Sequence, residues 1–129
     1  MPTLNGLYYE ERGSGPALLG IHGCSSSAML WEDAAATLAR HGRTITYDRR
    51  GCTRSERPDP YERIDVARHT DDAAALLDAL DAAPAVVIGR SYGGEVATDL
   101  ALRYPHRVRA LVLLEGAPVA LHPGAHRWT

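Results

Sequence analysis

Short apolar runs and longer stretches of helical period alternate along the chain. "ALLGI" (17–21), "RTITYD" (43–48), "AVVIG" (85–89) and "VRALVLL" (108–114) are rich in β-branched and aliphatic residues and read as strands. The unbroken apolar run 85–89 is expected to be a fully buried strand. In "SSSAMLWEDAAATLARHG", Trp31, Ala34 or Ala35, and Leu38 recur at helical spacing, with Gly42 as the stop. From Asp65 to Ala83, the residues Val66, Thr70, Ala73, Leu77 and Leu80 share one face, and Pro84 closes the run. In "YGGEVATDLALRY", Val96, Leu100 and Tyr104 form a stripe ahead of Pro105. At the start, Asn5-Gly6 predicts a tight hairpin between "TL" and "LYYEER", because both turn residues tolerate positive φ.

This order predicts an α/β fold in one domain over residues 1–129: an N-terminal antiparallel hairpin, then a mostly parallel sheet with helices on both faces. Residues 117–129 keep no period and are expected to be an irregular tail. Right-handed crossovers bring functional loops to the carboxyl ends of the strands, near Gly23, Asp48, Ser91 and Glu115.

At one of these ends stands "GRSYGG" (89–94), a strand followed by Gly-x-Ser-x-Gly followed by a helix. In that context the serine sits on a sharp turn at positive φ and its hydroxyl projects above the sheet. Gly89 and Gly93 remove the side chains that would clash where strand and helix approach, and Gly94 lets the helix pack near the sheet. Ser91 is therefore the candidate nucleophile. The Tyr92 N–H, at the positive end of a helix, is a candidate oxyanion donor. "GIHGCSSS" (20–27) also follows a strand; there the Cys24 N–H is the candidate second donor, carried on His22-Gly23. A phosphate-binding loop is excluded, because no G-x-x-x-x-G-K-[ST] is present.

"IHG" (21–23), "YDRRGCTRS" (47–55), "GRSYGG" (89–94) and "RVRALVLLEG" (107–116), in this order, resemble the α/β-hydrolase superfamily, in its esterase- and haloperoxidase-like branch. The resemblance implies hydrolysis of an ester or related acyl bond, a small-molecule acyl substrate and no cofactor or metal. It makes His22 a support of the oxyanion loop and Asp48 and Arg50 braces of the site rather than catalytic groups. Thr53 stands where the family pattern has Gly; a β-branched residue disfavours positive φ, so a rearranged loop is expected. Haloalkane dehalogenation would need a carboxylate at position 91.

The family's triad runs Ser, then Asp or Glu, then His along the chain. By the family's count this chain lacks the last two strands and the cap. Glu115, at the end of the strand 108–114, is the candidate acid, and His122 and His126 in the tail are the candidate bases. The acid and base either lie outside the chain or come from these residues. Two readings follow: a serine hydrolase acting through Ser91, or a catalytically inactive, truncated hydrolase-fold protein serving as a binding or assembly module. The missing strands would also leave an apolar edge on strand 108–114, which a partner chain would cover.

Composition narrows the partners. The formal net charge is −2 and every basic residue is Arg, so no nucleic-acid partner is expected. No apolar run approaches the length of a membrane span and the first residues do not resemble a signal peptide, so a cytoplasmic location without membrane contact is expected. Cys24 and Cys52 read as two unrelated reduced thiols, and their spacing from the histidines fits no zinc site. Arg49, Arg50, Arg54 and Arg57 read as a solvated basic loop, and Asp71, Asp72 and Asp78 as a solvated helix face.

Overall fold

The computed structural model of the chain describes residues 3–23, 31–57 and 64–114. Strands β1 (Thr3–Leu4) and β2 (Leu7–Arg12) form the expected antiparallel hairpin, with φ of 52° at Asn5 and 79° at Gly6. Strand β3 (Ala17–Ile21), helix α1 (Glu32–Leu38), strand β4 (Arg43–Tyr47), helix α2 (Val66–Ala79), strand β5 (Ala85–Arg90), helix α3 (Tyr92–Arg103) and strand β6 (Val108–Leu114) follow. The sheet has the order β1-β2-β4-β3-β5-β6. β2 runs antiparallel to β4, and β4, β3, β5 and β6 are mutually parallel.

Register explains the core. Ile45 lies beside Leu19, and Leu19 beside Val87, so one face of the central strands presents a continuous aliphatic row. Leu76 and Leu77 of α2 and Val96, Ala97 and Leu100 of α3 close over that row. The opposite face takes Trp31, whose ring stands 3.2 Å from where a side chain on Gly20 would begin. A larger residue at position 20 would displace the indole from the sheet. Asp65 caps α2, its carboxylate accepting the Arg68 N–H at 2.9 Å.

Three expectations are corrected. α2 ends at Ala79, short of Pro84, because Asp81 turns the chain with φ 51°. β5 is not buried on both faces: Ala85, Val87 and Gly89 are buried, but Val86 and Ile88 are half-covered. Ile88 lies beside Val112 of β6, which is itself exposed, so that face is open at this edge. The arginine loop is not solvated either. Arg49 and Arg50 are buried, and Asp72 is buried with them. Among the described residues no helix is long and apolar enough to cross a membrane.

Candidate active site

β5 ends at Arg90 and α3 begins at Tyr92, so a single residue makes the turn between them. That residue is Ser91, with φ 52° and ψ −119°, a backbone conformation that L side chains rarely adopt. Its side chain is exposed and makes no capping hydrogen bond to α3. Two backbone bonds fix the turn: the Ser91 N–H donates to the Leu114 carbonyl at 3.0 Å, and the Gly94 N–H donates to the Ser91 carbonyl at 2.8 Å. The carboxyl end of β6 is therefore tied directly to position 91.

The glycines do what the motif implies. A methyl on Gly89 would stand 2.7 Å from the Gly94 Cα and strike the Gly93 carbonyl. A methyl on Gly93 would stand 2.7 Å from the His22 carbonyl and strike that of Ile21. Strand, helix start and the end of β3 thus meet at backbone distance. Gly23 completes the contact, lying against Arg90 and Ser91. The 22–23 segment and the serine turn, far apart in sequence, are in direct contact.

Beneath them lies an arrangement that sequence reasoning missed. The Arg49 guanidinium donates through Nε to the His22 carbonyl at 3.1 Å, through one terminal nitrogen to the Gly23 carbonyl at 2.9 Å, and through the other to His69 Nε2 at 3.0 Å. Its central carbon sits 4.7 Å from the Tyr92 ring centroid, and the His69 ring meets Tyr92 edge-on at 5.9 Å. His22 Nε2 accepts the Arg49 backbone N–H at 2.9 Å, which leaves its proton on Nδ1, 2.8 Å from the Gly23 carbonyl. Both imidazoles are buried, and burial together with the Arg49 charge lowers their pKa values to about 4. At neutral pH they are uncharged and committed to Arg49. The only signal in sequence was an arginine at a strand end with histidines on two other elements, which no local pattern links.

Asp48 and Arg50 hold the surrounding loop. Arg54 pairs with Asp48 through two side-chain contacts of 2.7 and 3.1 Å, and Arg50 grips Asp72 bidentately at 2.8 and 3.1 Å. Thr53 does adopt positive φ, 36°, so the loop keeps its turn despite the side chain. His41 and His106 are exposed, His106 in the turn that precedes β6, at the end of the sheet away from Ser91. Cys24, Glu115, His122 and His126 lie outside the described residues. Among the described residues no group of His, Cys, Asp or Glu is placed to hold a metal ion.

A mostly parallel α/β sheet with a strained serine between strand and helix, backed by a glycine loop from the neighbouring strand, defines a class of fold. The chain belongs to the alpha/beta hydrolase fold family, whose family model matches residues 16–127. The uncharacterized hydrolase YraK of Bacillus subtilis is 38% identical over 82% of this chain and 39% of its own length. The 2-hydroxymuconate semialdehyde hydrolase of a Pseudomonas species is 39% identical over 86% of this chain and 40% of its own. Among solved structures, an N-acyl homoserine lactone degrading enzyme superposes with a TM-score of 0.81 at 33% identity, over 85% of this chain and 42% of that one. The chain's relatives are thus hydrolases of this fold, and it spans about two fifths of their length.

Proposed function

We propose that this chain carries the nucleophile and oxyanion half of a serine hydrolase acting on an ester or related acyl bond. Ser91 attacks the acyl carbon, and the Tyr92 and Cys24 backbone amides hold the oxyanion. The observation that carries this reading is the φ of 52° at an exposed Ser91 between β5 and α3, with Gly23 packed against it. Relatives named for lactone degradation and semialdehyde hydrolysis support acyl chemistry without choosing a substrate. The base is a histidine outside the described residues, since His22 and His69 are both committed to Arg49. Glu115 is the candidate acid, directly after the Leu114 that binds the Ser91 backbone.

A second reading has its own support. A serine without a base is a poor nucleophile, and the described histidines His22 and His69 that lie near the site are held by Arg49. On that reading the chain is a non-catalytic hydrolase-fold module. A fluorophosphonate probe separates the two. Stoichiometric labelling of the chain that is lost in Ser91→Ala supports the hydrolase; a folded chain that stays unlabelled supports the module.

A further inference from the structure

We propose that Arg49 is a positioning residue, a clamp that sets the distance between the glycine loop after β3 and the serine turn. One guanidinium touches both halves of the site. It binds the two successive carbonyls of His22 and Gly23 and lies against the ring of Tyr92, the residue after Ser91. Gly23 in turn packs on Ser91. The rigid fork of an arginine suits this role, since three donors leave it in one plane while its face remains for an aromatic ring.

The clamp has an energetic peculiarity. Arg49 is buried, yet among the described residues no carboxylate pairs with it. Backbone carbonyls, an imidazole and a ring face satisfy it instead. Burying a cation without a counter-ion is costly, and its neighbours Arg50 and Arg54 are by contrast each paired with a carboxylate, Asp72 and Asp48. His69 contributes the remaining acceptor, and its own Nδ1–H is buried without a partner among the described residues. One unsatisfied buried donor is thus tolerated to complete the arrangement. Both costs are incurred beside the contact between the glycine loop and the serine turn.

The catalytic part of this inference rests on Ser91 being a nucleophile; the geometric part does not. The test uses the full chain with Arg49→Met and Arg49→Lys, and Ser91→Ala as the labelling control. Backbone 15N order parameters are measured at Gly23 and Tyr92, with Leu19 and Ile45 as core references. The clamp predicts that both variants lower the order parameters at Gly23 and Tyr92 from the rigid range of about 0.85 towards 0.6, while the references hold. It also predicts that the maximal rate of fluorophosphonate labelling falls about tenfold or more with the probe's half-saturating concentration unchanged. Lysine is expected to rescue neither, because it lacks the fork. Unchanged order at Gly23 and Tyr92, or an equal loss at Leu19 and Ile45, overturns the clamp. If the parent chain does not label at all, the hydrolase reading fails, and the order parameters still decide the clamp. If Arg49→Met does not fold, Arg49→Lys decides it.

Discussion

Gly23 lies so close to Ser91 that a methyl on its Cα would stand 3.2 Å from the serine Cβ and 3.8 Å from its hydroxyl oxygen. The same methyl would stand 3.1 Å from the Arg90 carbonyl. These distances are tight rather than impossible, so Gly23→Ala is expected to fold with a cost of about 1–3 kcal/mol. The loop would yield by a few tenths of an ångström, away from the serine. Fluorophosphonate labelling of Ser91 is then expected to slow by about tenfold or more, since misplacement on this scale is costly to reaction geometry. Labelling at the parent rate in a folded Gly23→Ala chain would separate Gly23 from the chemistry.

The Arg50–Asp72 pair ties the loop after β4 to α2. The two side chains are only 8% and 10% exposed and share two hydrogen bonds. Removing one partner leaves the other's buried charge with only a longer ionic contact to an exposed group, Arg50 to Glu56 at 3.4 Å or Asp72 to Arg68 at 3.6 Å. Asp72→Ala or Arg50→Met is each expected to destabilise the chain by about 3–5 kcal/mol, and the double variant by less than the two losses added. Chemical unfolding of the two single variants and the double variant measures this directly. Additive losses would mean that the pair is not coupled.

The two buried imidazoles fix a direction of pH dependence. His22 and His69 have native pKa values lowered to about 4 from the ordinary 6.5, chiefly by burial. Between those values the unfolded chain holds protons on these rings that the native chain does not. Stability is therefore full above pH 6.5 and declines as the pH falls to about 4, by roughly 3 kcal/mol per imidazole. Urea midpoints at pH 7, 5.5 and 4.5 are expected to fall in that order, and His69→Asn to flatten the decline by about half. A midpoint independent of pH over this range would show the rings to be protonated or exposed in the native state.

How far these features were legible in the sequence depends on whether the signal is local. The hairpin at Asn5-Gly6, the strands and the serine turn each rest on a few adjacent residues whose backbone needs are specific, and all are found in place. The end of α2 is not legible from Pro84, because Asp81, a residue able to take positive φ, turns the chain first. The half-covered state of Val86 and Ile88 is a property of what lies over them, which an apolar run does not encode. Arg49, Arg50 and Asp72 read as solvated because no local pattern links a charge to a partner far along the chain. Their burial follows from β4 delivering the loop beneath α2 and the end of β3, where each charge meets partners from distant segments.

Thr53 carries strain that glycine would relieve. Its φ of 36° places a β-branched side chain in the left-handed region, at an exposed position in the loop that holds Asp48 and Arg54. Left-handed backbone costs an ordinary residue about 1–2 kcal/mol, part of which glycine returns as greater freedom when unfolded. Thr53→Gly is expected to stabilise the chain by about 0.5–1 kcal/mol, read as a raised urea midpoint with unchanged slope. Thr53→Ala tests the cause, since it removes the branch but keeps a Cβ and should gain less.

The last prediction concerns β6. Among the described residues it pairs only with β5, and Leu111, Val112 and Leu114 are 37%, 40% and 41% exposed. An apolar strand with one open edge invites pairing with another strand. Its inner side is needed: Leu114 accepts the Ser91 N–H, and Leu113 packs against the core. Val112 points to the thinly covered face beside Ile88, so it is the position where a charge disturbs least. Val112→Lys is expected to leave thermal stability within about 0.5 kcal/mol of the parent while suppressing concentration-dependent association in sedimentation velocity. Self-association that survives the lysine would place the contact elsewhere on the molecule. A large loss of stability would mean that this face of β6 is covered in the free chain.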